Sequence, residues 1–151
     1  MAENKTLVFD MDGTIADLYG IPDWLPRLRA YDPKPYLEAR PLLNMSSFSR
    51  LLNRAQEHGN KIGIISWGSK NSTPAYDKAI AKMKKAWLKL HLPAVDFDEI
   101  IIVPYGTRKS LYMQEGDILF DDVNTIRTDW TAHKGSAYTP DNILTILRKI
   151  T

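Results

Sequence analysis

A three-layer α/β fold, with a parallel five-stranded sheet between helices, is what this sequence predicts, and two observations predict it. Five short apolar runs recur along the 151 residues, and segments with helical periodicity lie between them. Strands that are apolar throughout and alternate with helices need cover on both faces, which a parallel sheet between two helical layers provides.

The runs are 6–9, 62–65, 100–103, 118–120 and 136–138. Between the first two, residues 46–57 place Phe48, Leu51, Leu52 and Ala55 on one face, and Gly59 follows as a stop. A longer helix is expected from Pro74, with Ser72 and Thr73 as cap candidates, aligning Tyr76, Ile80, Met83, Trp87 and Leu90. Its other face carries Lys78, Lys82, Lys85 and Lys89. Thr139 and Pro140 read as the cap and first position of a last helix bearing Ile143, Leu144, Leu147 and Ile150.

Residues 15–41 break the alternation. They hold five prolines with Tyr19, Trp24, Tyr31 and Tyr36, and read as a loop-like insertion over one edge of the sheet. The expectation is one domain over 1–151 with a small flap or cap at about 15–41, short enough to leave a site open.

Composition narrows the chemistry. Twenty basic and 18 acidic residues give a net charge of +2, which permits a nucleic-acid partner without arguing for one. With no cysteine, disulfides, thiolate nucleophiles and zinc-thiolate centres are excluded, and oxygen-ligand chemistry remains. The opening Met1-Ala2-Glu3-Asn4-Lys5 runs into an apolar stretch too brief for a signal-peptide core or a membrane span, so a cytoplasmic protein that does not engage membranes is expected.

Ligands of open parallel sheets bind beyond the carboxyl ends of the strands, and those ends are polar here. Strand one leads into Asp10 and Asp12, strand two into Ser66 and strand four into Asp121 and Asp122, while Lys109 follows strand three. Carboxylates crowded at one sheet edge repel unless a cation sits among them, and an all-oxygen set suits Mg²⁺. Asp10 can serve as metal ligand and nucleophile, and Asp12 can reach the same face to move a proton. Gly13 allows a tight turn and Thr14 offers a hydroxyl to orient the loop, while Ser66 and Lys109 can contact phosphoryl oxygens. Taken singly, each has a bland explanation: a turn, a strand-ending hydroxyl, a solvated lysine replaceable by Arg108, a helix cap. Their order along successive strand ends favours function.

These residues resemble the haloacid dehalogenase-like superfamily of phosphohydrolases, on four motifs in order: Phe9-Asp10-Met11-Asp12-Gly13-Thr14, Ile64-Ile65-Ser66, Lys109, and Ile118-Leu119-Phe120-Asp121-Asp122. The resemblance spans nearly the whole chain outside the insertion. It implies a Rossmann-like fold, an aspartyl-phosphate on Asp10, acid and base work by Asp12, and phosphate contacts from Thr14, Ser66 and Lys109. It also implies Mg²⁺ held by Asp10, the Asp12 carbonyl, and Asp121 or Asp122.

Two further resemblances point to nucleotides. The first motif with Arg40-Pro41-Leu42 looks like 5′(3′)-deoxyribonucleotidases, and the stretch from Ser72 to Leu88 is similar to the phosphatase half of phage-type polynucleotide kinases. A small phosphomonoester, favourably a nucleotide, is therefore the expected substrate. The insertion's aromatics could stack on a base or sugar, and Arg27, Arg29 and Arg40 could meet an anion. Two other readings stand beside it: a 3′-phosphatase on nucleic-acid ends guided by the lysine stripe, and a non-catalytic module that binds Mg²⁺ and phosphate to dock a partner.

Overall fold

In the computed structural model, which describes residues 4–151, strand β1 (Thr6–Phe9) runs through the middle of a five-stranded parallel sheet. Part of the N-terminal stretch, residues 1–3, lies outside the described residues. β1 is central because Leu7, Val8 and Phe9 are apolar on both faces and nothing along it needs water. On one side it pairs with β4 (Lys61–Trp67), which pairs in turn with β5 (Glu99–Val103). On the other it pairs with β6 (Ile118–Phe120), followed by β7 (Ser136–Tyr138). The order is therefore β5-β4-β1-β6-β7, and all five expected strands form. The chain builds β4 and β5 on one side of β1 and then crosses back to lay β6 and β7 on the other, so the order reverses at β1 and a crevice opens beyond its carboxyl end.

Alternation assigns the faces. Leu7, Phe9, Ile62, Ile64, Ile118 and Phe120 meet helices α3 (Met45–Glu57), α4 (Pro74–His91) and α6 (Ile143–Ile150) in the larger core. Phe9 anchors it, stacked on Phe120 with ring centres 4.8 Å apart and edge-on to Phe48 at 5.1 Å. Val8, Ile65 and Leu119 face the other way, onto Trp130 of α5 (Asn124–Ala132).

The caps follow the sequence. Asn44 accepts from Ser47 N to start α3, and Thr73 accepts from Tyr76 N to start α4. Three details differ from expectation. Leu90 is 64% exposed, and Leu88 is the buried residue, because the apolar stripe of α4 turns inward at Trp87. Pro140 begins a 3-10 turn over Pro140–Asn142, and α6 starts only after it, with Thr139 bonded by Asn142 Nδ2. Helix α5 has no strong apolar period in the sequence; Trp130 is the one residue it fully buries.

Residues 15–41 carry more order than a loop. β2 (Ala16–Asp17) pairs antiparallel with β3 (Arg40–Pro41), and two short helices, α1 (Trp24–Arg29) and α2 (Pro35–Glu38), lie between them. Leu18, Leu28 and Tyr36 pack against Tyr76 and Ile80 of α4, and Tyr76 Oη donates to the Asp32 carbonyl at 2.8 Å. Trp87 Nε1 likewise donates to the Ala39 carbonyl at 2.7 Å. No helix among the described residues is long and apolar enough to cross a membrane.

Candidate active site

The chain leaves β1 through a turn in which the amides of Thr14, Ile15 and Ala16 all bond the Met11 carbonyl. Gly13 makes this possible: its φ is +78°, and a Cβ there would collide with the Asp122 carboxylate and the Tyr19 ring. Asp10 is thereby fixed at the sheet's end, its amide held by the Phe120 carbonyl at 3.0 Å.

Around Asp10 the expected residues converge. Asp10, Asp121 and Asp122 each offer a carboxylate oxygen, all lying within 4.8 Å of one another. Lys109 Nζ donates to Asp10 Oδ1 at 2.9 Å and to Asp121 Oδ2 at 2.7 Å. Arg108 turns outward to Asp129 at 2.8 Å, so the site's cation at this position is Lys109. Thr14 is buried, and its Oγ1 donates to Asp10 Oδ2 at 2.8 Å and approaches Asp122 Oδ1 at 3.3 Å. Its hydroxyl thus meets the carboxylate expected to attack, rather than open space. Ser66 is fully buried, on the same strand face as Ile62 and Ile64, where it meets α4.

What waits for Ser66 on α4 is Lys84, which sequence reading placed within a lysine-rich stretch and assigned no role. Its Nζ donates to Ser66 Oγ at 2.6 Å, Asp12 Oδ2 at 2.9 Å and the Trp67 carbonyl at 2.6 Å. A signal existed: Lys84 falls four residues after Ile80 and three before Trp87, on the buried stripe. Lys78, Lys82, Lys85 and Lys89 are exposed as expected.

The electrostatics separate the four carboxyls. For Asp10, burial pushes upward, but the Lys109 charge and hydrogen bonds from Asp122, Lys109 and Thr14 outweigh it and hold the group below its ordinary value. For Asp12, burial dominates over the Lys84 charge, with Asp10 adding repulsion, so its carboxyl is raised. Asp121 rises to about 6 through burial and Asp10's charge, against Lys109. Asp122, at the solvent-facing rim, rises to about 7 through desolvation, Asp10 and Asp121. Asp10 is thus held towards its ionised form and Asp12 towards its protonated one, so two neighbouring carboxyls differ in charge preference.

Four carboxylates against two buried ammoniums leave an excess of negative charge at the sheet edge. That excess, all oxygen and partly at the rim, fits a divalent hard cation held by Asp10, Asp121 and Asp122.

The carboxylates floor a cavity of about 450 Å³. Tyr19, Trp24, Tyr31 and Tyr36 of the insertion line it, facing Trp67 and Tyr105, whose rings lie 4.8 Å apart. Arg29 and Lys70 reach it as well. Arg27 does not: it is engaged by Asp32 at 2.9 Å and Glu38 at 2.8 Å, bracing the insertion. Arg40 is also outside it.

Neither a protein-family model nor a curated protein sequence matches this chain. Among solved structures, the chain is similar in fold to the crystal structure of D,D-heptose 1,7-bisphosphate phosphatase from Burkholderia thailandensis, which superposes with a TM-score of 0.59. The match covers 97% of each chain at 13% identity, so the likeness is one of fold.

Proposed function

We propose that the chain is a Mg²⁺-dependent phosphohydrolase of the haloacid dehalogenase-like type, organised as one domain whose residues 15–41 wall the site. The observation that carries this is the meeting of ionised Asp10 with Lys109, Asp121 and Asp122 at the carboxyl end of the central strand, with Asp12 beside it. Asp10 attacks phosphorus, forming an aspartyl-phosphate as the phosphorus–oxygen bond to the leaving group breaks. The leaving oxygen keeps that electron pair and takes the proton of Asp12. Water then attacks phosphorus and gives Asp12 a proton, which releases phosphate and restores the Asp10 carboxylate. Lys109 spends two of its three donors on Asp10 and Asp121, leaving one for a phosphoryl oxygen. Mg²⁺, held by Asp10, Asp121, Asp122 and the Asp12 carbonyl, would neutralise charge on the phosphoryl group when bound.

The favoured substrate is a nucleotide. Its support is the cavity wall of six aromatic rings with Arg29 and Lys70 within it, a lining suited to a planar base beside a phosphate. The sugar bisphosphate of the fold neighbour is the competing phosphomonoester, and a 3′-phosphorylated nucleic-acid end is another, supported by the exposed lysines of α4. A panel of nucleoside monophosphates, sugar phosphates and 3′-phosphorylated oligonucleotides, assayed with Mg²⁺ and with chelator, tests the reading. Phosphate release is expected with Mg²⁺, highest on nucleotides, and lost in Asp10→Asn. Binding of phosphate without release by the wild type would instead favour a docking module.

A further inference from the structure

Lys84, like Asp121, is a charged side chain at the site with no exposure at all. A lysine ammonium has three N–H donors, and here three acceptors take them: Asp12 Oδ2, Ser66 Oγ and the Trp67 carbonyl, at 2.9, 2.6 and 2.6 Å. The Tyr36 ring lies 5.0 Å from the nitrogen on a further side. Asp12 lines the cavity and Lys84 does not. Lysine and carboxylate therefore stand in file, with Lys84 behind and Asp12 in front.

That arrangement distinguishes Lys84 from Lys109. Lys109 lines the cavity and keeps a donor for a ligand, whereas Lys84 has none to give. Its bonds also tie three separate pieces of chain together: the turn after β1, the end of β4, and α4. Asp12 stands at the start of the turn after β1, tied by its backbone only through an isolated bridge to Ala16, so the direction of its side chain depends on what pulls on Oδ2. Oδ2 is drawn back to Lys84 while Asp12 still lines the cavity, which leaves the other oxygen as the one to meet a ligand.

We infer that Lys84 is a positioning residue, which aims the Asp12 carboxyl at the leaving-group oxygen and never touches substrate itself. This rests on the phosphohydrolase reading above. Ser66 belongs to the same device: it accepts from Lys84, and so fixes where the ammonium sits.

The test is a mutant cycle read on two leaving groups. Proton donation matters for an alkyl phosphate, whose alkoxide leaves badly, and little for p-nitrophenyl phosphate, whose phenolate leaves unaided. kcat/KM reports the steps up to aspartyl-phosphate formation. Lys84→Met is expected to lower kcat/KM about 100-fold for the alkyl ester and less than about 10-fold for p-nitrophenyl phosphate, within the range that a lost proton donor costs. Equal losses on both esters would overturn the inference, since they would place Lys84 on the phosphoryl group or the fold. Where Lys84→Met does not fold by circular dichroism, Lys84→Gln keeps an amide donor and replaces it.

A second arm removes both charges together and so avoids stranding one. In an Asp12→Asn background, adding Lys84→Met is expected to change kcat/KM for p-nitrophenyl phosphate less than about twofold, because a residue that acts through Asp12 has nothing left to act through. A further tenfold loss there would overturn it. If the wild type hydrolyses neither ester with Mg²⁺, the phosphohydrolase reading fails and takes this inference with it; if it is active and the cycle is additive, only the role of Lys84 fails.

Discussion

Thr14 Oγ1 donates a 2.8 Å hydrogen bond to Oδ2 of Asp10, four residues earlier, and both groups are buried. With Oδ1 taken by Lys109, both oxygens of Asp10 are held, which fixes the plane of the carboxylate before any substrate arrives. Thr14→Val keeps the shape and removes the donor. A hydrogen bond to a charged group contributes about 1.5–3 kcal/mol, so the variant is expected to melt several degrees lower. Its kcat is expected to fall about tenfold or more with KM little changed. A normal kcat in a folded variant would show that Lys109 alone suffices to orient Asp10.

The metal-free protein is expected to lose stability as pH rises. Asp121 and Asp122 titrate near 6 and 7 when folded, above the ordinary 3.8, and Asp12 is also raised. Groups with raised folded values bind protons in the native state before the unfolded chain does, so stability falls as pH climbs from about 4 through 7. Asp10 is lowered and Lys109 raised, which places their contributions below 3.8 and above 10.5, outside this window. Melting curves in chelator should therefore decline between pH 5 and 8. Saturating Mg²⁺ should flatten or reverse the slope, because the ion binds only deprotonated carboxylates. A chelator curve that rises over this range would contradict the raised proton affinity of Asp121 and Asp122 in the folded chain.

The aromatic wall makes a separable prediction. Trp67 and Tyr105 come from different strand ends and face the insertion's rings across the cavity. Stacking on one aromatic contributes about 1–3 kcal/mol per base. Tyr105→Ala should raise KM for nucleoside monophosphates by about tenfold or more, while kcat/KM for a small alkyl phosphate that cannot stack stays within about threefold. A uniform loss on both would assign Tyr105 to loop order instead of substrate contact.

Much of this site was legible because strand ends are simple in a parallel sheet: an apolar run, then Asp10, Ser66 or Asp121, fixes both position and face. Lys84 was not legible from the same logic, because it comes from the middle of a helix 18 residues beyond Ser66 and meets it only through packing. A lysine on an apolar stripe was the available sign, and the lysine-rich stretch around it masked it. The insertion misled for a related reason. Five prolines among aromatics read as a loop, yet Leu28 and Tyr36 are buried against Tyr76 and Ile80 of α4, so part of what orders the insertion lies outside its own sequence. Helix α5 escaped because one tryptophan, Trp130, supplies its burial while the threonines along it blur the period.

Asp129 of α5 shows what that missed helix contributes. Its two oxygens hold Arg108 Nη2 at 2.8 Å and Ser110 Oγ at 2.5 Å, the residues on either side of Lys109. Lys109 sits in a 3-10 turn, Lys109–Tyr112, too short to fix its own orientation. Clamped at both neighbours, the lysine must point inward to Asp10 and Asp121. Asp129→Ala leaves the cavity lining intact and frees the turn. The Arg108 pair is largely solvent-exposed and screened by water, so stability should drop only modestly. The larger effect is expected on chemistry: kcat down about tenfold as the Lys109 ammonium loses its fixed position. Ser110→Ala should give a smaller fall in the same direction, and Arg108→Ala the smallest, since its guanidinium is the exposed arm of the clamp. If Arg108→Ala and Ser110→Ala each match Asp129→Ala, the turn is held elsewhere; if none of the three alters kcat, Lys109 is positioned by its own ion pairs alone.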